Sequence, residues 1–126
     1  MWICTNQSFL SIVDAAETPG CLLVRARRVG DIESAFPHAD VVILAGRDYR
    51  FRAEVTRADV AKALDAAVKD INYPNFKSSV SDPNLHRAYA EVWATMANLQ
   101  EYAPYSETPR PGGLRKHPQR GKRLVR

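Results

Sequence analysis

Arginines two apart occur twice in the chain, Arg25 with Arg27 and Arg50 with Arg52. Side chains alternate between faces in an extended segment, so each pair shares one face of its strand. If the two strands are neighbours, four guanidiniums converge, and their forked donors suit phosphates and carboxylates. A plainer reading stays open, in which these are ordinary solvent-facing positions set against acids such as Glu54. A second basic group, Arg115, Lys116, Arg120, Lys122 and Arg123, lies near the C-terminus. Basic segments of this kind bind nucleic-acid backbone through counterion release, fold onto an acidic protein partner, or act only as solubilising ends. No aromatic residue follows Tyr105, which argues against stacking on single-stranded bases.

Catalytic constellations are sparse. His38, His86 and His117 do not form a metal-ligand pattern, and no cofactor is expected. His86, close in sequence to Asp82, Tyr89 and Trp93, could act as a general base or could be a helix-surface histidine bonded to a loop. A small enzyme with its site near Tyr73, His86 and Trp93 is therefore the alternative to a binding protein. No phosphate-binding glycine loop or nucleophile elbow occurs, and Pro111-Gly112-Gly113 has neither a strand before it nor a helix after it. Cys4 and Cys21 sit in apolar runs without metal-ligand spacing and are expected to be buried, reduced thiols.

The charges divide the chain. Residues 1–100 carry 11 basic against 12 acidic side chains, whereas residues 101–126 carry 7 against 2, so the net charge of +4 belongs to the C-terminal segment. Four prolines and three glycines fall in that same segment, a composition that builds neither ladder nor helix. The expected organisation is a domain over residues 1–101 and a basic, flexible tail over residues 102–126. The start of the chain lacks a basic, apolar leader, and no apolar run approaches the ~20 residues that cross a bilayer. The expectation is a soluble, cytoplasmic protein with no membrane partner.

These side chains need elements to hold them. Residues 2–5 and 9–13 are β-like around the turn residues Asn6-Gln7-Ser8, which predicts a hairpin, and residues 21–28 alternate as a third strand. Asp31 is placed to cap a short helix that Pro37 ends. The apolar residues 41–45 have the character of a buried strand, completing a crossover unit. Gly46-Arg47-Asp48 then turns the chain into residues 49–55, where Tyr49, Phe51, Ala53 and Val55 share one face and Arg50, Arg52 and Glu54 the other.

Thr56-Arg57-Ala58-Asp59 has the form of a capping box before a helix carrying Val60, Ala61, Leu64, Val68 and Ile71. Asp82-Pro83 opens a last helix whose Leu85, Tyr89, Val92, Trp93, Met96 and Leu99 make an apolar stripe, placing Trp93 in the core. Between these helices lies a linker with Tyr73 and Phe76, expected to pack on the surface. The order β-β-β-α-β-β-α-α predicts an α+β fold, a largely antiparallel sheet with helices packed on one face.

Several separated motifs occur in one order: Met1-Trp2, Ser11-Ile12-Val13, residues 22–27, Asp48-Tyr49-Arg50-Phe51-Arg52, Tyr73-Pro74-Asn75-Phe76-Lys77, and Leu85-His86 with Val92-Trp93. Over residues 1 to about 100 the chain resembles a family of small uncharacterised proteins of bacteria and phages. That resemblance implies no particular activity; its phage context suggests a protein that binds host machinery, such as an anti-CRISPR inhibitor. The resulting expectation is a non-enzymatic binding protein for a host protein or nucleoprotein complex. Its contacts would be Arg25, Arg27, Arg50 and Arg52, the linker aromatics Tyr73 and Phe76, and the basic tail, with nucleic acid a further candidate for the tail.

Overall fold

The computed structural model describes residues 1–112. Two compact units are present, Met1–His86 and a second that begins at Arg87. The first contains a five-stranded antiparallel sheet of strands β1 (Trp2–Cys4), β2 (Phe9–Asp14), β3 (Cys21–Ala26), β4 (Val42–Ile43) and β5 (Phe51–Thr56), in the order β1-β2-β3-β5-β4. The fold is therefore α+β, as the element pattern predicts.

A three-strand meander, β1-β2-β3, and the β4–β5 hairpin make up the sheet's halves. Thr5 holds the β1–β2 turn: its backbone N–H donates to the Ser8 carbonyl at 2.9 Å and its hydroxyl oxygen accepts from the Ser8 N–H at 3.0 Å. Gly46, at φ 80°, turns β4 into β5, a conformation that a Cβ would strain. The halves join where β3 pairs with β5, after the chain has crossed through helix α1 (Asp31–Ala35). Because β5 inserts between them, β3 and β4 run parallel without touching, which is the crossover expected from strand, helix, strand.

One sheet face is the core. Leu10 and Ile12 of β2, Val24 and Ala26 of β3, and Ala53 and Val55 of β5 pack with Ile32 and Phe36 and with Val60 of helix α2 (Arg57–Lys69). Their alternation with polar neighbours is the period-2 signature that makes these segments strands with one dry face. Helix α2 begins as predicted, the Thr56 hydroxyl oxygen accepting from the Asp59 N–H at 3.1 Å. Its C-terminal Val68, and Ile71 beyond it, are exposed because they border an open groove of about 700 Å³ between α2, Ala35 and the start of β1.

Three expectations are corrected. Residues 41–45 are not a buried strand: β4 is a two-residue edge with Val42 54% and Ile43 61% exposed, since it has a neighbour on only one side. Asp31 does not cap α1; Gly30, at φ 88°, occupies that position without a side-chain bond, and the Asp31 carboxylate turns to Arg28. The Cys4 thiol belongs to an exposed edge residue, and Cys21 is half-buried rather than buried. The Tyr73 linker also contains a one-turn helix, α3 (Phe76–Ser79), whose cap is the Asn75 side chain accepting from the Ser78 N–H at 3.0 Å.

Helix α4 (Pro83–Ala97) starts with Asp82 accepting from the Leu85 N–H at 2.8 Å, as the Asp-Pro pair predicts. Leu85 and Tyr89 are buried, but Val92, Trp93, Met96 and Leu99 are exposed, Trp93 by 42%. Trp93 is thus not a core residue. In the second unit the described chain after α4 is a short loop rather than a covering layer. Tyr102 bridges Pro109, and the Arg110 guanidinium donates to the carbonyls of Ala97 and Gln100 at 3.1 and 3.2 Å, closing residues 101–110 onto the end of the helix. Cationic donors suit the unpaired carbonyls and partial negative charge of a helix C-terminus.

Candidate functional site

The register of β3 on β5 places Arg25 directly opposite Arg52. Phase follows from the Arg57 N–H, which donates to the Gly20 carbonyl at 2.9 Å in the same register, so odd-numbered residues of β5 exchange the ladder bonds with β3. Arg25 and Arg52 are therefore a non-hydrogen-bonded pair, the arrangement in which opposed side chains lie closest. Like charges so placed repel. Continuing the register sets Arg27 beside Arg50 where the ladder ends. Arg25 and Arg52 rise from the face opposite the core, Arg27 shares the Tyr49 ring with Arg25, and Arg50 is exposed just before β5 at the same end of the sheet.

Tyr49 makes this tolerable, and alternation misplaces it. A regular strand would turn its ring to the core with Phe51; instead β5 begins only at Phe51, and the buried Tyr49 ring lies on the arginine face. The Arg25 and Arg27 guanidiniums sit 4.7 and 4.2 Å from its centroid. An aromatic face attracts both cations and spreads their mutual repulsion. Arg27 also donates to the Asp48 carbonyl at 2.8 Å. Arg52 donates to the Tyr49 carbonyl at 3.1 Å and pairs with the Asp48 carboxylate at 3.5 Å. Arg25 donates to the buried Ser11 hydroxyl at 2.8 Å, while its Nε is buried with no partner among the described residues.

The cluster is therefore both scaffold and surface. Arg27 and Arg52 use part of their donor capacity to hold the Asp48-Tyr49 turn, and Arg25 covers the Tyr49 ring. Arg50 is exposed, with its backbone carbonyl accepting from the Leu44 N–H, and Arg47 in the turn is exposed beside it in sequence. The nearby carboxylates are Asp48, inside the cluster, and Glu54, which accepts from the Thr18 hydroxyl at 2.8 Å. Positive charge is in excess.

No family model, curated protein or solved structure matches this chain. The functional reading therefore rests on the chain's own residues and on the motif resemblance.

A second charged group was not singled out by spacing alone. Arg28 bonds the buried Asp31 carboxylate at 3.0 and 3.3 Å and reaches Asp82 at 3.1 Å, while Asp31 also accepts from the Phe9 N–H at 3.4 Å. The signal was present in the three-residue interval between Arg28 and Asp31, but Asp82 is distant in sequence. Hydrogen bonding to Asp31 is the main cause that raises the Arg28 pKa. The Leu85 N–H, more than Arg28, lowers that of Asp82.

A carboxyl held below its unfolded value stabilises the fold above the unfolded pKa and ceases to do so as pH falls through the folded one. Asp82→Asn should therefore remove part of the acid-induced loss of stability below about pH 4. Thermal melts of both proteins between neutral pH and about pH 2 test this; superimposable acid limbs would refute it.

The remaining candidates do not converge with the arginines. Tyr73 and Phe76 are half-buried with ring centroids 6.0 Å apart, and Tyr73 borders the groove beside α2. His86 is exposed, and its Nδ1 donates to the Lys77 carbonyl at 2.9 Å. No trio of potential metal ligands occurs among the described residues, and no helix there is long and apolar enough to cross a membrane. Arg115, Lys116, His117, Arg120, Lys122 and Arg123 lie outside the described residues.

Proposed function

We propose that this protein is a non-enzymatic binding protein whose arginine-bearing end of the sheet engages an anionic partner. The observation that supports it is the direct opposition of Arg25 and Arg52, with Arg27, Arg47 and Arg50 at the same end. Concentrating like charge opposes folding, and the buried Tyr49 and the Asp48 pairing offset that cost without removing the excess charge. Planar guanidiniums set side by side fit phosphate or carboxylate groups. Given the resemblance to phage and bacterial proteins, the partner proposed is a host nucleoprotein complex, in the manner of an anti-CRISPR inhibitor, with the basic C-terminal segment adding backbone contacts. The alternative of an enzyme around Tyr73, His86 and Trp93 gains no specific observation.

Arg50 is the residue to test, because its guanidinium is not tied to the Tyr49 turn. Titration of the full chain with a fluorescent 30-base-pair DNA duplex and its RNA counterpart at several salt concentrations should give log–log slopes near −0.9 per phosphate contacted. Arg50→Ala should flatten the slope by about one contact. Arg50→Lys should weaken binding several-fold although charge is kept, since an ammonium lacks the fork. Affinity unchanged in both variants would remove the arginine end from the interface.

A further inference from the structure

The outer edge of β4 has the phase, composition and charge of a strand that can pair with itself. The Leu44 N–H donates to the Arg50 carbonyl at 2.8 Å in the register that sets Val42 opposite Arg52 and Ile43 opposite Phe51. Residues 42 and 44 thus direct their backbone groups toward β5. Those of Ile43, and by the same phase those of Val41, point away from the sheet, while Ala45 already lies in the turn toward β5. Natural edges are usually blunted by Lys, Pro, a bulge or inward charge. Residues 41–45, Val-Val-Ile-Leu-Ala, contain no charge and no proline, and Val42, Ile43 and Leu44 are all exposed.

We propose that this edge is a homodimer interface, residues 42–44 pairing antiparallel with the same residues of a second copy of this chain. An antiparallel ladder joins outward-pointing residues to outward-pointing residues. The two-fold register that satisfies this sets Ile43 against Ile43 of the partner subunit. On the arginine face, Val42 then packs beside Leu44 of the partner subunit. Charge selects the occupant: Asp40 flanks one end of the run and Arg47 the other. The two-fold brings the Asp40 carboxylate to the Gly46-Arg47 turn of the other copy, once at each end. A parallel pairing would instead set like charges together.

The expected dimer is weak, because so short an edge buries less than the roughly 1,200 Å² of a standard interface. Its two-fold axis stands perpendicular to the sheet, so both arginine ends emerge on one face of a continuous ten-stranded sheet. Arg52 and its counterpart would lie roughly 16 Å apart, about three strand spacings across and two residues along.

Sedimentation velocity of the full chain from about 1 µM to 1 mM should show a concentration-dependent monomer–dimer equilibrium, with Kd on the order of 10–100 µM. Ile43→Pro removes an outward N–H while leaving the β5 ladder intact, and should leave a monomer throughout. Asp40→Arg should raise Kd at least fivefold, and combining it with Arg47→Asp should restore it. The charge swap does not depend on whether Ile43→Pro folds. A chain that stays monomeric at 1 mM, or a dimer indifferent to Asp40→Arg, would overturn the proposal.

Discussion

Tyr49→Ala is expected to lose about 3–5 kcal/mol of folding stability, the range for truncating a buried aromatic ring. Tyr49 is only 4% exposed, so nearly its whole ring is removed from a packed site. Without it, Arg25 and Arg27 lose the aromatic face that both cover, and the repulsion among the arginines is no longer offset. Tyr49→Phe should retain most of the stability, because the cation contact uses the ring and not the hydroxyl. Urea denaturation at low and high salt checks both. A Tyr49→Ala loss under ~1 kcal/mol would mean that the ring does not hold the arginine end together. The alanine variant should also recover some stability at 1 M salt, where screening shortens the reach of like-charge repulsion.

The second large effect is expected at Arg28. Arg28→Met strands the Asp31 carboxylate, which is 5% exposed, with the long bond from the Phe9 N–H as its remaining described contact. Breaking a fully buried ion pair costs about 3–5 kcal/mol; partial exposure of Arg28 admits water, so about 2–3 kcal/mol is expected here. Adding Asp31→Leu to Arg28→Met should return part of the loss, since an apolar pair leaves no buried charge. A double variant no more stable than Arg28→Met would show that Asp31 is held mainly by its backbone contact. Equilibrium unfolding of the three proteins decides this.

How far the sequence could be read depends on whether a property is local. The alternation in residues 21–26 and 51–55 identified the buried face, and Thr56 and Asp82 marked two helix starts, because strand faces and caps are set by residues a few positions apart. Which strands are neighbours is not local, so the meeting of Arg25 with Arg52 was a condition rather than a deduction. Residues 41–45 have the sequence of a buried strand because an apolar run looks the same in a central strand and at an exposed edge. The stripe of α4 placed Leu85 and Tyr89 on a buried face correctly, but periodicity does not say how far along a helix that cover extends, and Val92, Trp93 and Met96 are exposed. Tyr49 failed differently. It has the right residue type for β5 and the wrong phase: the strand begins at Phe51, and the Tyr49 ring lies against the Arg25 and Arg27 guanidiniums, a long-range contact that alternation does not report.

The join between β3 and β5 also has a kinetic meaning. The three-strand meander β1-β2-β3 and the β4–β5 hairpin each close over short loops, whereas pairing β3 with β5 requires the intervening chain, with α1, to be brought together first. Long closures of this kind cost chain entropy before any contact repays it, so docking of the two halves is the natural slow event in folding. The arginine end is assembled in that event: Arg25 and Arg27 arrive on one half, Arg50 and Arg52 on the other. A chain stalled before docking would hold every basic residue and yet present no composite site. An anion that requires both halves would therefore slow their separation rather than speed their meeting, lengthening the lifetime of the assembled state.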